Sequence, residues 1–173
     1  MTATPISLDA INAMGEQAFV ATFGDVAEHS PWVAEDAAAS RPFATRGAMI
    51  AAFQDAVMKA DRARQQALLL AHPDLAGRAA IAGGLTEDSR REQAGAGLDR
   101  LTREEFGRFT AMNAAYRQTY GIPFIFAVRG ATKDQILAGF KIRLSNTVEV
   151  EFATALEQVC RIIRFRIEDR VAP

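Results

Sequence analysis

Apolar residues with helical periodicity are the sequence feature that most constrains this chain. They recur at three- and four-residue steps in one segment after another, the spacing that puts side chains on one face of an α-helix. The third predicted helix, for example, begins near Thr45 and carries Met49, Phe53 and Val57. Strands do not alternate with helices, so the pattern excludes a parallel α/β sheet and predicts an all-α chain.

Helix start and stop signals divide the chain into roughly seven or eight helices. The first is predicted to begin after Ser7 and to end at Gly24-Asp25. The second begins at Ser30-Pro31, with serine as N-cap and proline in the first turn. The remaining start signals are Asp61, Ser89-x-x-Glu92, Thr102-x-x-Glu105, Thr132-x-x-Gln135 and Asn146-Thr147.

One apolar run, Ile122–Val128, is too short for a helix and contains Pro123. Because proline removes a backbone donor, we expect an extended, buried segment outside any sheet. Its backbone amides would then be available to a ligand. Together these features predict one domain over residues 1–173, a single-domain helical bundle with one short extended apolar strip.

The charge balance narrows the classes of partner. Twenty Lys and Arg against 21 Asp and Glu leave a net charge of -1, so no basic field indicates nucleic acid or an anionic membrane. No segment reaches the roughly 18 apolar residues of a membrane-spanning helix, and the N-terminus lacks an export signal. The single cysteine, Cys160, fits a reducing compartment, and we expect a cytoplasmic protein.

The stretch from His72 to Gly95 is the part that packing alone explains least. Pro73 stops an apolar helical run and leaves His72 at a helix end. Ser89-x-x-Glu92 has the form that opens the next helix. An imidazole at one helix end and a carboxylate at the next helix start can face a common cleft.

Other interpretations of the same residues stay open. Ser89 and Glu92 can be a capping box alone, and His72-Pro73-Asp74 can be a helix stop with a turn. The His-Pro-Asp loop between two helices also resembles the signature loop of J-domain co-chaperones, whose preceding helix is basic where this one ends apolar. The chain as a whole could be a non-catalytic helical interaction module.

In the last predicted helix an arginine occupies a core-facing position. The apolar stripe of this helix consists of Phe152, Leu156, Val159 and Ile163. Its steps are four, three and four residues, and the next step of three reaches Arg166. The guanidinium can snorkel past the core or pair with a structural carboxylate. It can equally bind two oxygens of a planar anionic substrate.

Several kinds of site are unsupported. Two widely separated histidines, His29 and His72, and one cysteine do not form a spaced set of metal ligands. Gly83-Gly84 and Gly95-Ala96-Gly97 lack the pattern of a dinucleotide or phosphate loop. Cys160 has no histidine near it in sequence, so a nucleophilic triad is not indicated.

The blocks HSPWVAEDAAASRPF, LLLAHPDLAG, LTEDSRREQAGAGLDRL, YGIPFIFAVRG and RIIRFRI follow one another along nearly the whole chain. In this order and spacing they resemble the 2-oxo-4-hydroxy-4-carboxy-5-ureidoimidazoline (OHCU) decarboxylases of the urate-to-allantoin route. The resemblance implies an all-helical homodimer without metal or organic cofactor that converts OHCU to (S)-allantoin. It also implies functional coupling to the preceding hydroxyisourate hydrolase.

By motif, the resemblance makes His72 and Glu92 the catalytic residues, with His72 as an acid/base. The substrate-binding residues that it implies are Pro73, Ser89, Gln93, Pro123, Phe124, Ile125 and Arg166. Loss of carbon dioxide leaves an electron pair that the conjugated ring can delocalise, so no cofactor is needed as an electron sink. Which of His72 and Glu92 delivers the proton stays open.

Overall fold

A computed structural model describes residues 4–77 and 83–173. Within these residues the chain forms nine helices and no β-sheet, which confirms the all-α prediction. The helices are α1 (Leu8–Ala13), α2 (Glu16–Phe23), α3 (Trp32–Ala38), α4 (Arg46–Lys59), α5 (Arg62–Leu70), α6 (Glu87–Gly95), α7 (Arg103–Tyr120), α8 (Lys133–Arg143) and α9 (Val148–Arg170). The apolar residues 79–82 of the His72–Gly95 stretch lie outside the described residues. Among the described helices, none is both long and apolar enough to cross a membrane.

The first predicted helix is in fact two helices, which accounts for the ninth. Met14 and Gly15 have extended backbones between α1 and α2. Ser7 caps α1 as predicted, its hydroxyl accepting from a first-turn amide at 3.3 Å. The apolar pattern continues across the break because Ile11 and Phe19 are both fully buried. Periodicity alone therefore does not reveal the interruption.

The second predicted helix begins one residue late and without its serine cap. Ser30 donates its hydroxyl to the Glu28 carbonyl at 2.9 Å, and Pro31 occupies the N-cap position of α3. Most other predicted helix starts are confirmed. Side chains that accept from first-turn amides are Thr45, Asp61, Thr102 and Thr132, the last two in complete capping boxes.

The chain packs as two compact units. The first unit contains the described residues up to Ala71 and Val159–Pro173. Its core includes Phe19, Phe23 and Phe53, all fully buried. Each such side chain stabilises the folded state by about 1.5–3 kcal/mol relative to exposure. Near the chain ends, Ile6 bridges to Val171.

The second unit contains His72–Gln158 and has an aromatic core of its own. Its fully buried aromatic residues are Phe109, Tyr116, Phe124 and Phe140. The first part of α9 belongs to this unit and the rest to the first. That the whole chain is one domain stays a prediction.

The predicted extended strip, residues 122–128, is confirmed. It follows α7, which ends at Tyr120 with the left-handed Gly121 as its C-cap, and it belongs to neither helix nor sheet. All of its residues except Phe126 are buried. The ring of Phe124 stacks on Phe140 of α8 with centroids 3.6 Å apart. The strip is therefore a core segment of the second unit.

Candidate active site

The turn after α5, residues 72–77, is the first part of the candidate site and is called the His72 turn below. Helix α5 ends at Leu70 with Ala71 as its C-cap, as Pro73 predicts. His72 follows directly and is 6% exposed. The histidine therefore lies at a helix end, as expected, and is shielded from solvent.

Two residues of the His72 turn have unusual local geometry. Ala76 has a φ of 52°, in the left-handed region that residues other than glycine rarely occupy. At Gly77 there is no room for a side chain, since a Cβ would lie 2.8 Å from the Cβ of Asp74. The Gly77 amide donates to the Asp74 carbonyl at 3.3 Å and closes the turn. The left-handed conformation of Ala76 costs about 1 kcal/mol or more, so neighbouring contacts must hold it.

Side chains of α6 and α7 supply these contacts. They bind three consecutive residues of the turn: Arg117 Nε donates to Asp74 Oδ1 at 2.9 Å, Asn113 Nδ2 donates to the Leu75 carbonyl at 2.8 Å, and the Ala76 amide donates to Gln93 Oε1 at 2.9 Å. The Leu75 and Ala76 contacts are buried. The turn is thus held by two helices that follow it in sequence.

Helix α6 carries the second part of the site, and its start corrects one prediction. Thr86 is the N-cap, and its hydroxyl accepts from the Ser89 amide at 3.3 Å. Ser89 therefore lies inside the helix and not at its start, so the Ser89-x-x-Glu92 capping box is wrong. The reason is that Glu87 and Asp88 form an acidic first turn, which favours a start before them.

Three predicted site residues share one side of α6. Ser89, Glu92 and Gln93 are three and four residues apart, the spacing of neighbours on a helix face. Ser89 is 6% and Gln93 is 5% exposed, and Glu92 is half-buried. The Gln93 contact with Ala76 brings this face and the His72 turn together. Two separate sequence blocks thereby meet in the second unit.

The strip places its predicted site residues differently. Pro123, Phe124 and Ile125 are all buried. The side chain of Phe124 is a core residue, and the Ile125 carbonyl accepts from Arg143 Nη1 at 2.5 Å. The Ala127 amide donates to a side chain of α9, that of Gln158, at 3.0 Å. Part of the backbone expected to be available to a ligand is therefore bound by the protein itself.

A buried polar network under the strip was not predicted from the sequence. Arg143 and Glu151 form an ion pair, with Nε 2.5 Å from Oε1 and side-chain exposures of 8% and 0%. Tyr116 donates to Glu151 Oε1 at 2.5 Å, and Asn146 donates to Oε2 at 2.8 Å. Burial, together with the hydrogen bond to Glu151, raises the pKa of the Tyr116 phenol. The hydroxyl therefore stays protonated and acts as a donor.

The signal for this network was present in the helical periodicity. Steps of four and three residues lead from Ile136 through Phe140 to Arg143, all of which are buried. A step of four leads back from Ala155 to Glu151 in the same way. A charged residue in an apolar stripe, the pattern that marks Arg166 near the end of α9, therefore marks Arg143 and Glu151 as well.

Arg166 lies in the first unit, on α9, where the predicted stripe is confirmed. The guanidinium does not snorkel, because the residue is 1% exposed. Its Nη1 donates to Glu28 Oε2 at 3.0 Å and to the Val26 carbonyl at 3.3 Å. Glu28 was not singled out in the sequence, where nothing separates it from a surface carboxylate. Substrate binding by Arg166 stays a prediction.

A cavity of about 710 Å³ opens beside the Gln93–Ala76 contact, within the usual size range of small-molecule sites. Its lining includes Gln93 and Ala76 together with Arg90 and Phe106. Of the described site residues, His72, Ser89 and Glu92 are not part of it. The cavity is therefore not assigned to the substrate. Over residues 4–77 and 83–173, no three His, Cys, Asp or Glu side chains are grouped as metal ligands would be.

Comparison with known proteins shows a family match over most of the chain. The model of the OHCU decarboxylase family matches residues 12–168. The chain is 39% identical over 165 residues to the 2-oxo-4-hydroxy-4-carboxy-5-ureidoimidazoline decarboxylase of Haloferax volcanii, covering 95% of this chain and 96% of that protein. It is 35% identical over 159 residues to the protein of that name from Mus musculus, covering 92% and 89%.

A longer relative is a uric acid degradation bifunctional protein of Bacillus subtilis. The identity is 38% over 163 residues, which cover 94% of this chain but 32% of that protein. Among solved structures, an (S)-allantoin synthase superposes with a TM-score of 0.75 at 32% identity, covering 96% of this chain and 54% of that one. An OHCU decarboxylase crystallised in the presence of (S)-allantoin gives a TM-score of 0.67 at 21% identity, covering 82% and 92%, and shows the shared fold alone.

Proposed function

The chain belongs to the OHCU decarboxylase family, and we propose that it decarboxylates OHCU to (S)-allantoin in urate degradation. It is an enzyme of the carboxy-lyase class, so the non-catalytic interaction module and the J-domain interpretation are set aside. The reaction breaks one carbon–carbon bond, releases carbon dioxide and forms one carbon–hydrogen bond. The protein has to bind the planar ring, favour loss of the carboxylate and protonate one face.

His72 and Glu92 are the proposed catalytic pair. His72 acts as the acid/base near the departing carboxylate, and Glu92 faces the ring nitrogens or the ureido group. A side chain that transfers a proton in the transition state contributes about 10²–10⁴-fold to the rate. Protonation from one side of a buried site gives a product of single handedness.

The proposed substrate-binding residues are those that the family resemblance implies. They are Pro73, Ser89, Gln93, Pro123, Phe124, Ile125 and Arg166. Gln93 contributes through its Nε2 group, since its Oε1 is bound to the Ala76 amide at 2.9 Å. Phe124 and Ile125 contribute backbone groups of the strip. Arg166 supplies a planar guanidinium for two substrate oxygens.

The single observation that carries this proposal is the hydrogen bond between Gln93 and Ala76. It joins the His72 turn to the α6 face that holds Ser89 and Glu92, and it is buried. Residues of the two most selective sequence blocks are therefore neighbours although 17 positions separate the bonded pair. This supports a common site for the imidazole and the carboxylate.

The test is a coupled assay on freshly generated OHCU. The preceding reactions produce the substrate in place, its disappearance is followed by absorbance, and circular dichroism reports the handedness of the allantoin. We expect faster loss of OHCU than in the uncatalysed control, with a single (S) product. A rate equal to that of the control, or a racemic product, would contradict the proposal.

We also propose a homodimer, from the family resemblance. Light scattering coupled to size-exclusion chromatography should give twice the 18.8 kDa chain mass. A monomer mass at assay concentration would contradict it.

Coupling to the preceding hydroxyisourate hydrolase is proposed because a relative in Bacillus subtilis is a bifunctional protein of uric acid degradation. Direct transfer would make the coupled rate insensitive to a trap for free OHCU.

A cytoplasmic location is proposed from the pathway, and cell fractionation tests it.

A further inference from the structure

We propose that Arg117 and Asn113 are positioning residues for His72, an inference that rests on His72 being the acid/base of the proposed decarboxylation. Both side chains bind residues that follow the histidine in the turn. Arg117 binds Asp74 and Asn113 binds Leu75, two and three residues after it. Their effect on the reaction is therefore exerted through the conformation of the His72 turn.

Three consecutive residues of the turn are anchored to helices α6 and α7. Asp74, Leu75 and Ala76 are each bound by a different side chain, so the turn is held at three successive residues. Two of these side chains project from α7 at positions four residues apart, the spacing of one helix face. Two side chains of helix α7 thus bind the turn.

The strained geometry of the turn explains why such support is needed. Ala76 has a φ of 52°, and Gly77 packs against Asp74 with no space for a Cβ. A left-handed alanine persists only where the surroundings over-determine it. Without the anchors the turn would relax, and His72 would move with it. A displacement of about 1 Å in a catalytic group can cost on the order of 10²-fold in rate.

Stability alone explains the Arg117–Asp74 contact poorly. The Arg117–Asp74 pair is partly solvated, with side-chain exposures of 42% and 29%, and exposed pairs contribute little to stability. Asn113 is 5% exposed and its Oδ1 has no hydrogen-bond partner in the described residues. A buried amide that uses only its donor is costly. The hydrogen bond from Asn113 to the Leu75 carbonyl explains why the amide lies there.

The kinetic test is a double-mutant cycle on Asp74 and Arg117. Arg117→Ala and Asp74→Ala should each lower kcat about tenfold with little change in KM, and the double variant should be no worse than either, because both remove the same contact. Arg117→Lys keeps a cation opposite Asp74 and should recover most of the rate. The matched control is Arg108→Ala, on the same helix and paired with exposed Glu104, which should keep wild-type kcat.

A second readout does not depend on activity. The chain has two histidines, so ring-labelled histidine gives two sets of NMR signals, assigned with His29→Gln. Arg117→Ala and Asn113→Ala should shift the His72 signals and leave those of His29 unchanged, and Arg108→Ala should shift neither. If Arg117→Ala matches Arg108→Ala in both kcat and spectrum while His72→Ala is inactive, the positioning inference is overturned. If His72→Ala keeps the wild-type rate, the proposed catalytic role fails, and the spectra alone decide whether the anchors position His72.

Discussion

Arg166 and Glu28 form an ion pair from which water is excluded on both sides. Nη1 lies 3.0 Å from Oε2, and the side chains are 2% and 1% exposed. Removing two charges from water costs free energy. Loss of either partner of a buried pair leaves the other charge buried and uncompensated, which is strongly destabilising. Arg166 therefore has a structural partner in addition to the substrate-binding role proposed for it.

The loss of the cation should destabilise the protein. We expect Arg166→Met to lower the free energy of unfolding by about 3 kcal/mol or more, because the Glu28 carboxylate would stay buried without its partner. Urea unfolding measures the change. The control is Arg164→Met, whose pair with Glu168 is exposed on the arginine side and should be worth no more than about 1 kcal/mol. Equal unfolding midpoints for the two variants would show that the pair does not stabilise the fold.

Arg166→Lys separates structure from catalysis at the same position. Lysine keeps a charge near Glu28 but replaces the planar fork by a point charge on a flexible stem. We expect normal folding and a loss of at least about tenfold in kcat/KM, equivalent to roughly 1.4 kcal/mol of transition-state binding. Steady-state kinetics and unfolding are compared on one preparation. Wild-type kcat/KM would assign the arginine to structure alone and place the substrate's anionic end elsewhere.

Substitutions of the catalytic pair should lower kcat and leave the unfolding midpoint nearly unchanged. His72→Ala and Glu92→Ala are each expected to lower kcat by roughly 10²-fold or more, with little change in unfolding midpoint. Thr86→Ala is the matched comparison on α6, because it removes the true cap and should cost about 1 kcal/mol of stability. If Glu92→Ala loses stability like Thr86→Ala and keeps its rate, the carboxylate is structural.

Metal removal should leave the enzyme active. The chain offers two histidines and one cysteine, which do not make a spaced ligand set. Protein dialysed against a strong chelator, with residual metal measured by mass spectrometry, should keep its full rate. Activity that disappears with the metal and returns only on its addition would contradict this expectation.

Acid should weaken the protein partly through Glu105. The Lys133 ammonium at 2.7 Å, and next the Thr102 backbone amide at 2.8 Å, hold the pKa of this carboxyl below its usual range. A folded-state pKa below the unfolded one gives stability that is present above the unfolded value, about 4.3, and is lost as pH falls through the folded value. Glu105→Gln and Lys133→Met should both flatten the fall of the unfolding midpoint below about pH 4.3. A fall as steep as in the wild type would show that the pair does not contribute.

The caps show how much of the fold the sequence predicts. Ser7, Thr102 and Thr132 cap helices as expected, because a short polar side chain before an apolar run can bind first-turn amides through local geometry. The break at Gly15 was missed because the apolar spacing survives it. The start of α6 was misplaced because Thr86 and Ser89 are both plausible caps, and only the acidic residues between them favour the earlier one.

The candidate site was less predictable than the fold. Motifs singled out His72 and Gln93, but the hydrogen bond from Ala76 to Gln93 depends on a left-handed alanine that no local pattern indicates. Glu28 could not be found because its burial is a tertiary property. Arg143 could have been found, since it continues an apolar stripe as Arg166 does.

The extended strip has a further consequence for protein engineering. In a sheet, a strand's backbone is bound by another backbone, and the neighbour's side chains are largely exchangeable. Here the Ile125 carbonyl and the Ala127 amide are bound by two particular side chains, Arg143 of α8 and Gln158 of α9. The conformation of residues 122–128 therefore depends on the sequences of two helices. A graft of these residues alone onto another scaffold would lose both contacts, so the strip has to be moved together with α8 and the first half of α9.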